Sequence, residues 1–259
     1  MQPALQVRGL FHRYGDHVAV DGLSLDVAPG EVLGLVGPNG AGKTTTLRAI
    51  AGVLPIQDGS VHIQGVDLER DEAGAKQLMA WVPDEPKPFD TLTVMEHLEF
   101  TAALYGVHDW EPQAEALLAR LELTEKRDVL GGELSRGMRQ KLAIASAWLS
   151  QPSLVLLDEP LSGLDPRGIR NARAAIAELS ASGVAVILSS HLLELIEALA
   201  DRILILDHGR VAFVGTLAEA RESRGAGSLE EIFLAVTGDD AQAAPASPAP
   251  EATREDPGA

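Results

Sequence analysis

The stretch Gly37-Pro38-Asn39-Gly40-Ala41-Gly42-Lys43-Thr44 decides the fold. It fits the pattern G-x-x-x-x-G-K-[ST]. Ahead of it runs Glu31-Val32-Leu33-Gly34-Leu35-Val36, apolar and bounded by Gly30 and Gly37, which reads as a buried strand. Behind it, Thr45-Thr46-Leu47-Arg48-Ala49-Ile50 reads as the first turns of a helix. The motif needs this context of strand, glycine loop and helix. The glycines let successive N–H groups turn inward around a phosphate, and the helix start adds partial positive charge. On this reading Gly37 to Thr45 frame a nucleoside triphosphate. Lys43 reaches its β and γ phosphates, and the Thr44 hydroxyl ligates Mg²⁺. The stretch says what is bound, not why.

Working outward, the 259 residues suit one large α/β domain with room for an inserted lobe. The absence of cysteine excludes disulfides and thiolate metal sites. A formal net charge of −17 opposes nucleic-acid phosphates, and no run of Lys and Arg offsets it, so no nucleic-acid partner is expected. Met1-Gln2-Pro3-Ala4-Leu5 has neither the basic start nor the apolar core of a signal peptide. No apolar run approaches a membrane span, so a membrane role has to come through a partner.

Towards the N-terminus, Leu5–Leu10 and Val18–Val27 read as strands around a turn at Tyr14-Gly15-Asp16-His17. Ser60–Ile63 and Ala80–Val82 are further short strands, with Asp71–Met79 a helix between them. Three prolines in Pro83-Asp84-Glu85-Pro86-Lys87-Pro88 forbid regular structure there. From Thr93 the pattern turns helical. Thr93-Val94-Met95-Glu96 is a capping box, and Glu111–Leu121 and Ser135–Leu149 carry apolar faces. This all-helical stretch, about residues 84–152, interrupts an alternating β and α chain and reads as an inserted lobe. Alternation resumes with strands at Leu154–Leu157 and Val184–Leu188 and helices at Pro166–Leu179 and His191–Ala200. A hairpin, Arg202–Leu206 with Val211–Val214, and two short helices close the domain at about residue 237. Residues 238–259 have almost nothing to bury and read as a disordered acidic Ala/Pro-rich tail.

The second chemical feature is Leu154-Val155-Leu156-Leu157-Asp158-Glu159. An apolar strand delivers Asp158 to the carboxyl end of the sheet, where ligands of open α/β sheets bind. Asp158 suits Mg²⁺, and Glu159 suits a general base for an attacking water. Leu134-Ser135-Arg136-Gly137-Met138 opens a helix, and its free N–H groups, the Ser135 hydroxyl and the bare backbone of Gly137 form a second anion site. A single chain needs no second γ-phosphate site so far away in sequence; a head-to-tail dimer does. Ser162-Gly163-Leu164-Asp165 stands where it would line such an interface, and an imidazole at His191 follows a strand end close enough to touch the γ phosphate.

Taken together, these stretches resemble the ATP-binding cassette family, the nucleotide-binding subunits of ABC transporters, over Leu5 to Val236. Gly37–Thr44 resembles its Walker A motif and Leu154–Glu159 its Walker B motif with the catalytic glutamate. Leu134–Met138 resembles the signature, Ser162–Asp165 the D-loop, His191 the switch histidine and Tyr14 the aromatic residue that stacks on adenine. The resemblance implies a P-loop NTPase core, mostly parallel in its sheet, with an N-terminal antiparallel β part and the inserted helical lobe. It also implies ATP with Mg²⁺, Glu159, His191 and Lys43 in catalysis, and a head-to-tail pair of such subunits. A permease on a separate chain would hold the protein at the inner face of the membrane.

Two departures stand out. Arg136 and Met138 replace the third and fifth residues of the usual Leu-Ser-Gly-Gly-Gln, a variant that resembles bacterial ABC-2-type exporters. Asp84 stands where the family places a glutamine that touches Mg²⁺. Its carboxylate is a hard donor suited to that ion, or else a solvated loop residue. The rival function is a soluble relative acting on ribosomes or DNA. Such proteins usually carry two cassettes or a long coiled coil, and neither is seen in this sequence.

Overall fold

Strand β3, Val32–Val36, is buried at all five positions. Such a strand needs cover on both faces, and its residues divide between two cores by the period of two. Val32 and Val36 pack into one apolar cluster, while Leu33 and Leu35 pack into the other. The same split runs through β7 (Leu154–Asp158) and β8 (Ala185–Ser189), also buried throughout. The computed structural model describes residues 2–224 and 227–238.

The central sheet has six strands in the order β10-β9-β3-β8-β7-β6, where β6 is Met79–Val82, β9 Arg202–Asp207 and β10 Arg210–Thr216. Every neighbouring pair from β9 to β6 is parallel, and β10 returns antiparallel on β9. A second, antiparallel sheet has the order β2-β1-β4-β5, from β1 (Leu5–Tyr14), β2 (His17–Val27), β4 (Asp58–Ile63) and β5 (Val66–Asp67). Helix α1, Lys43–Ile50, buries Leu47, Ala49 and Ile50 in the core shared with that second sheet. The short helix α2 is Glu72–Gln77.

Between β6 and β7 the named helices are α3 (Val94–Tyr105), α4 (Trp110–Arg120) and α5 (Arg136–Leu149), with short 3₁₀ turns and no named strand among the described residues. The capping box read at Thr93 forms. Thr93 N–H donates to Glu96 Oε2 at 2.7 Å, and Glu96 N–H donates to Thr93 Oγ1 at 3.2 Å. Leu98, Leu118, Leu142 and Ala145 from these helices join the core on the β3 face that carries Val32. Helices α6 (Pro166–Ala181), α7 (Leu193–Leu199), α8 (Leu217–Arg224) and α9 (Leu229–Thr237) follow. The tail expected over 238–259 lies, from residue 239, outside the described residues.

The turn read at Tyr14-Gly15-Asp16-His17 forms: Tyr14 and His17 pair across β1 and β2, and Gly15, at φ +57°, closes the reversal with Asp16. One local expectation is corrected. His191 lies before α7, not inside it: Ser190 Oγ accepts the Leu192 N–H at 3.1 Å, and that local turn delays the helix to Leu193.

The parallel strands fix where the chemistry sits. β3, β8, β7 and β6 are neighbours pointing the same way, so their carboxyl ends form one rim. Residues 37–44, His191, Asp158 with Glu159, and Asp84 leave those four ends in turn.

Candidate functional site

The loop between β3 and α1 is held by its own backbone and its neighbours. Gly42 takes φ +101°, and a Cβ there would collide with the Ala19 carbonyl, so only glycine fits. The Lys43 amine turns back on its own loop, donating to Gly37 O at 2.7 Å and Pro38 O at 3.1 Å. Burial pushes the Lys43 pKa down, against the pull of the Glu159 and Asp158 charges. An amine resting on two carbonyls has donors to offer phosphate oxygens in exchange.

This loop opens on a cavity of about 350 Å³. Its walls are Asn39 to Thr45 from the loop, Tyr14, His17 and Ala19 from the first hairpin, and Asp84, Asp158 and Glu159 from the rim. The candidate residues on four separate stretches therefore meet in one place. Gly37 and Pro38 are not part of the wall; they hold the lysine. Tyr14 is 47% exposed, with His12 edge-on against its ring at a centroid distance of 4.8 Å. One face of a propped aromatic ring suits a purine.

Asp158 is 2% exposed, and the Ser189 hydroxyl donates to its Oδ1 at 2.7 Å. Glu159 takes φ +48°, a left-handed conformation rare for its residue type. It is held there by its N–H on Ser189 O at 3.1 Å and by Ser162 N–H on its own carbonyl at 3.0 Å. Its Oε2 lies 2.8 Å from His191 Nδ1. Burial raises the Glu159 pKa above the ordinary carboxylate range, while the His191 hydrogen bond and the Lys43 charge oppose that rise.

The donor set fits Mg²⁺. The cavity offers the Thr44 hydroxyl and the hard carboxylate oxygens of Asp158, Glu159 and Asp84. Among the described residues no cluster of three or more Asp, Glu, His or Cys side chains makes a self-sufficient metal cage. A cation that takes one or two carboxylates and completes its shell with phosphate oxygens and water suits such a site.

Ser135 and Gly137 are not brought to this cavity. They open α5, where Ser135 Oγ accepts the Met138 N–H at 3.3 Å. A Cβ on Gly137 would stand 2.9 Å from the Gly163 carbonyl oxygen, which explains the bare backbone there.

Sequence reasoning missed three contributors. His17 lines the cavity beside Tyr14, a consequence of the tight hairpin. Ser189 sits on the strand beside Asp158 and holds it, a pairing that only the sheet register sets. Arg136 is the third: it donates an N–H at 3.2 Å to Oδ1 of Asp84, the candidate Mg²⁺ ligand or solvated loop residue, across 52 positions of chain.

Among the described residues no helix is long and apolar enough to cross a membrane. The family model described as ABC transporter matches residues 20–162. The chain is 34% identical to the ABC-type transporter ATP-binding protein EcsA of Bacillus subtilis, over 92% of this chain and 98% of that protein. It is also 34% identical to the daunorubicin resistance ATP-binding protein DrrA3 of Streptomyces coeruleorubidus, over 89% of this chain and 73% of that protein. Among solved structures, the ATP-binding subunit of an ABC transporter superposes with a TM-score of 0.87 at 32% identity, covering 90% of this chain and 99% of that one. Motif order, cavity and relatives agree: the chain belongs to the ATP-binding proteins of ABC transporters.

Proposed function

We propose that the chain hydrolyses ATP with Mg²⁺ in a head-to-tail pair and drives a permease on a separate chain. The observation that carries this reading is the division of the phosphate-site residues. Lys43, Asp158, Glu159 and His191 gather on one rim, while Ser135 and Gly137 lie away from that cavity. Half a phosphate site on each of two surfaces is what two copies complete for one another.

In this mechanism Lys43 leaves the carbonyls of Gly37 and Pro38 for the β and γ phosphates, and Tyr14 stacks on the base. Thr44 and Asp158 would hold the cation, with Asp84 as a further oxygen donor. Mg²⁺, when bound, neutralises phosphate charge. Glu159 takes a proton from water as the water oxygen bonds to the γ phosphorus. The bond from phosphorus to the β–γ bridging oxygen breaks, leaving ADP and phosphate. His191 steadies Glu159 through their 2.8 Å contact and faces the phosphoryl group. Ser135 and Gly137 of the second copy close over the same phosphate. Positioning and charge supply most of the rate.

A groove of about 290 Å³ between β6, the proline-rich loop, α3 and α5 suits the permease. Trp81 and Arg139 line it, and their Nε1 and Nε, closed off from solvent, have no hydrogen-bond partner. The helices of residues 84–152 would carry closure to that groove. Relatives named for daunorubicin and linearmycin resistance favour export as the direction. The chain would then lie at the inner face of the membrane through its permease.

The test is phosphate release from Mg²⁺·ATP by the purified chain and by Glu159→Gln. The variant should retain ATP and pair with a second copy, with turnover lowered about 10²-fold or more. Unchanged turnover would remove Glu159 from its role. Co-purification from detergent-solubilised membranes tests the permease.

A further inference from the structure

Arg136 stands in the signature turn, yet it reaches two other motif loops of its own chain. One guanidinium nitrogen lies 3.2 Å from Asp84 Oδ1 and donates to the Ser162 hydroxyl at 2.9 Å. Its stem lies over Gly163, where a Cβ would stand 3.3 Å from Arg136 Cδ. One helical turn further along α5, the fully buried Gln140 directs Nε2 to the Pro83 carbonyl at 3.5 Å. Residues 136 and 140 share a helix face, so α5 holds the Pro83-Asp84 peptide with two side chains.

Asp84 itself faces the cavity that contains Thr44, Asp158 and Glu159. Three carboxylates converge there with one lysine. In this arrangement Arg136 neutralises the outermost of the three. A divalent cation entering between Thr44 and Asp158 offers that carboxylate a stronger field than one exposed guanidinium does.

We propose that Arg136 is a positioning residue that competes with the nucleotide-bound cation for Asp84. With the cavity empty, Arg136 parks the Asp84 carboxylate on α5. When Mg²⁺·ATP enters, Asp84 turns to the cation and Arg136 is released. The freed guanidinium then lies beside Ser135 and Gly137, where it adds positive charge to the second anion site. Filling a chain's own cavity thus prepares its signature turn for the other copy's phosphates. Only this last step rests on the two-copy reading given above.

The test titrates Mn²⁺, followed by its electron paramagnetic resonance signal, into the full chain carrying Glu159→Gln, with and without ATP. Protein is kept dilute enough to stay monomeric by sedimentation. Removing the competitor with Arg136→Ala should tighten the Mn²⁺ half-saturation roughly two- to fivefold in the presence of ATP, the size an exposed ion pair supports. Cation-free ATP affinity should not move. Arg136→Lys should restore most of the parent value, and Arg136→Ala should have no effect in an Asp84→Asn background. Circular dichroism and the melting temperature identify folded variants, and Arg136→Lys keeps the comparison available if the alanine variant unfolds. Retained ATP with an unchanged half-saturation, or an equal shift in the Asp84→Asn background, overturns this inference alone. A chain that retains no ATP with Mn²⁺ present overturns the nucleotide-site reading as well.

Discussion

Glu159 concentrates the tension of the site in one residue. Its backbone is left-handed, its carboxylate is buried, and its pKa is raised. A group whose folded pKa exceeds its unfolded value adds stability below the unfolded pKa, and that contribution is lost as pH rises through the folded value. At neutral pH the ionised carboxylate is therefore a cost. Glu159→Gln should raise the melting temperature of the nucleotide-free chain by about 2 °C, as differential scanning calorimetry at pH 7.5 would show, with the gain vanishing at acid pH. The same raised pKa bears on turnover. A general base must be ionised, so the acid limb of kcat/KM against pH, which reports the free chain, should lie above the ordinary carboxylate range, in a profile that Glu159→Gln abolishes. Lys43, Thr44 and Asp158 were legible in the sequence because motif spacing and strand ends place them. Ser189 and the Arg136–Asp84 pair were not, because no local pattern joins residues 31 or 52 positions apart.

At the scale of elements, the joint between the proline-rich loop and α3 turns on one histidine. His97 is buried; its Nε2 accepts the Phe89 N–H at 2.9 Å, and its Nδ1 lies 2.6 Å from the Thr93 carbonyl. Both ring nitrogens are used, which selects the neutral tautomer with hydrogen on Nδ1. His97→Ala leaves the Phe89 N–H and a void behind, and should cost about 2 kcal/mol in urea unfolding. Hydrogen exchange should quicken first at Phe89. Thr93→Ala, which removes half of the capping box, should cost about 1 kcal/mol. That cap was readable from four residues, whereas the partner of His97 was not, since a buried histidine in a helix names no acceptor. Helix ends moved by one or two residues from their expected places, as at His191, where a serine turn competes with the first helical hydrogen bond.

For the whole molecule, charge and incompleteness both leave signatures. A net charge of −17 makes the folded chain repel itself. Raising NaCl from about 10 mM to about 150 mM shortens the screening length roughly fourfold, and the melting temperature should rise. If each chain carries half of two phosphate sites, phosphate release per chain should climb with chain concentration below the pairing threshold and then level off. A rate per chain that is flat across dilution would count against pairing. The parallel core strands were legible from the alternation of strands and helices, and the antiparallel N-terminal part from the family resemblance, but the sheet order was not. The meeting of the core strands' ends at one rim followed only once β8 was found between β3 and β7.

That rim gives the molecule a working side and a free side. Where β3, β8, β7 and β6 begin, the chain carries turns such as Ser182-Gly183, exposed and remote from the cavity walls. The chain has no cysteine. A single thiol introduced by Ser182→Cys would be unique, so a fluorophore or spin label could be attached there by maleimide chemistry alone. Two such labels in a mixed population would serve as a molecular ruler, reporting subunit approach in real time from the side that nucleotide chemistry leaves untouched.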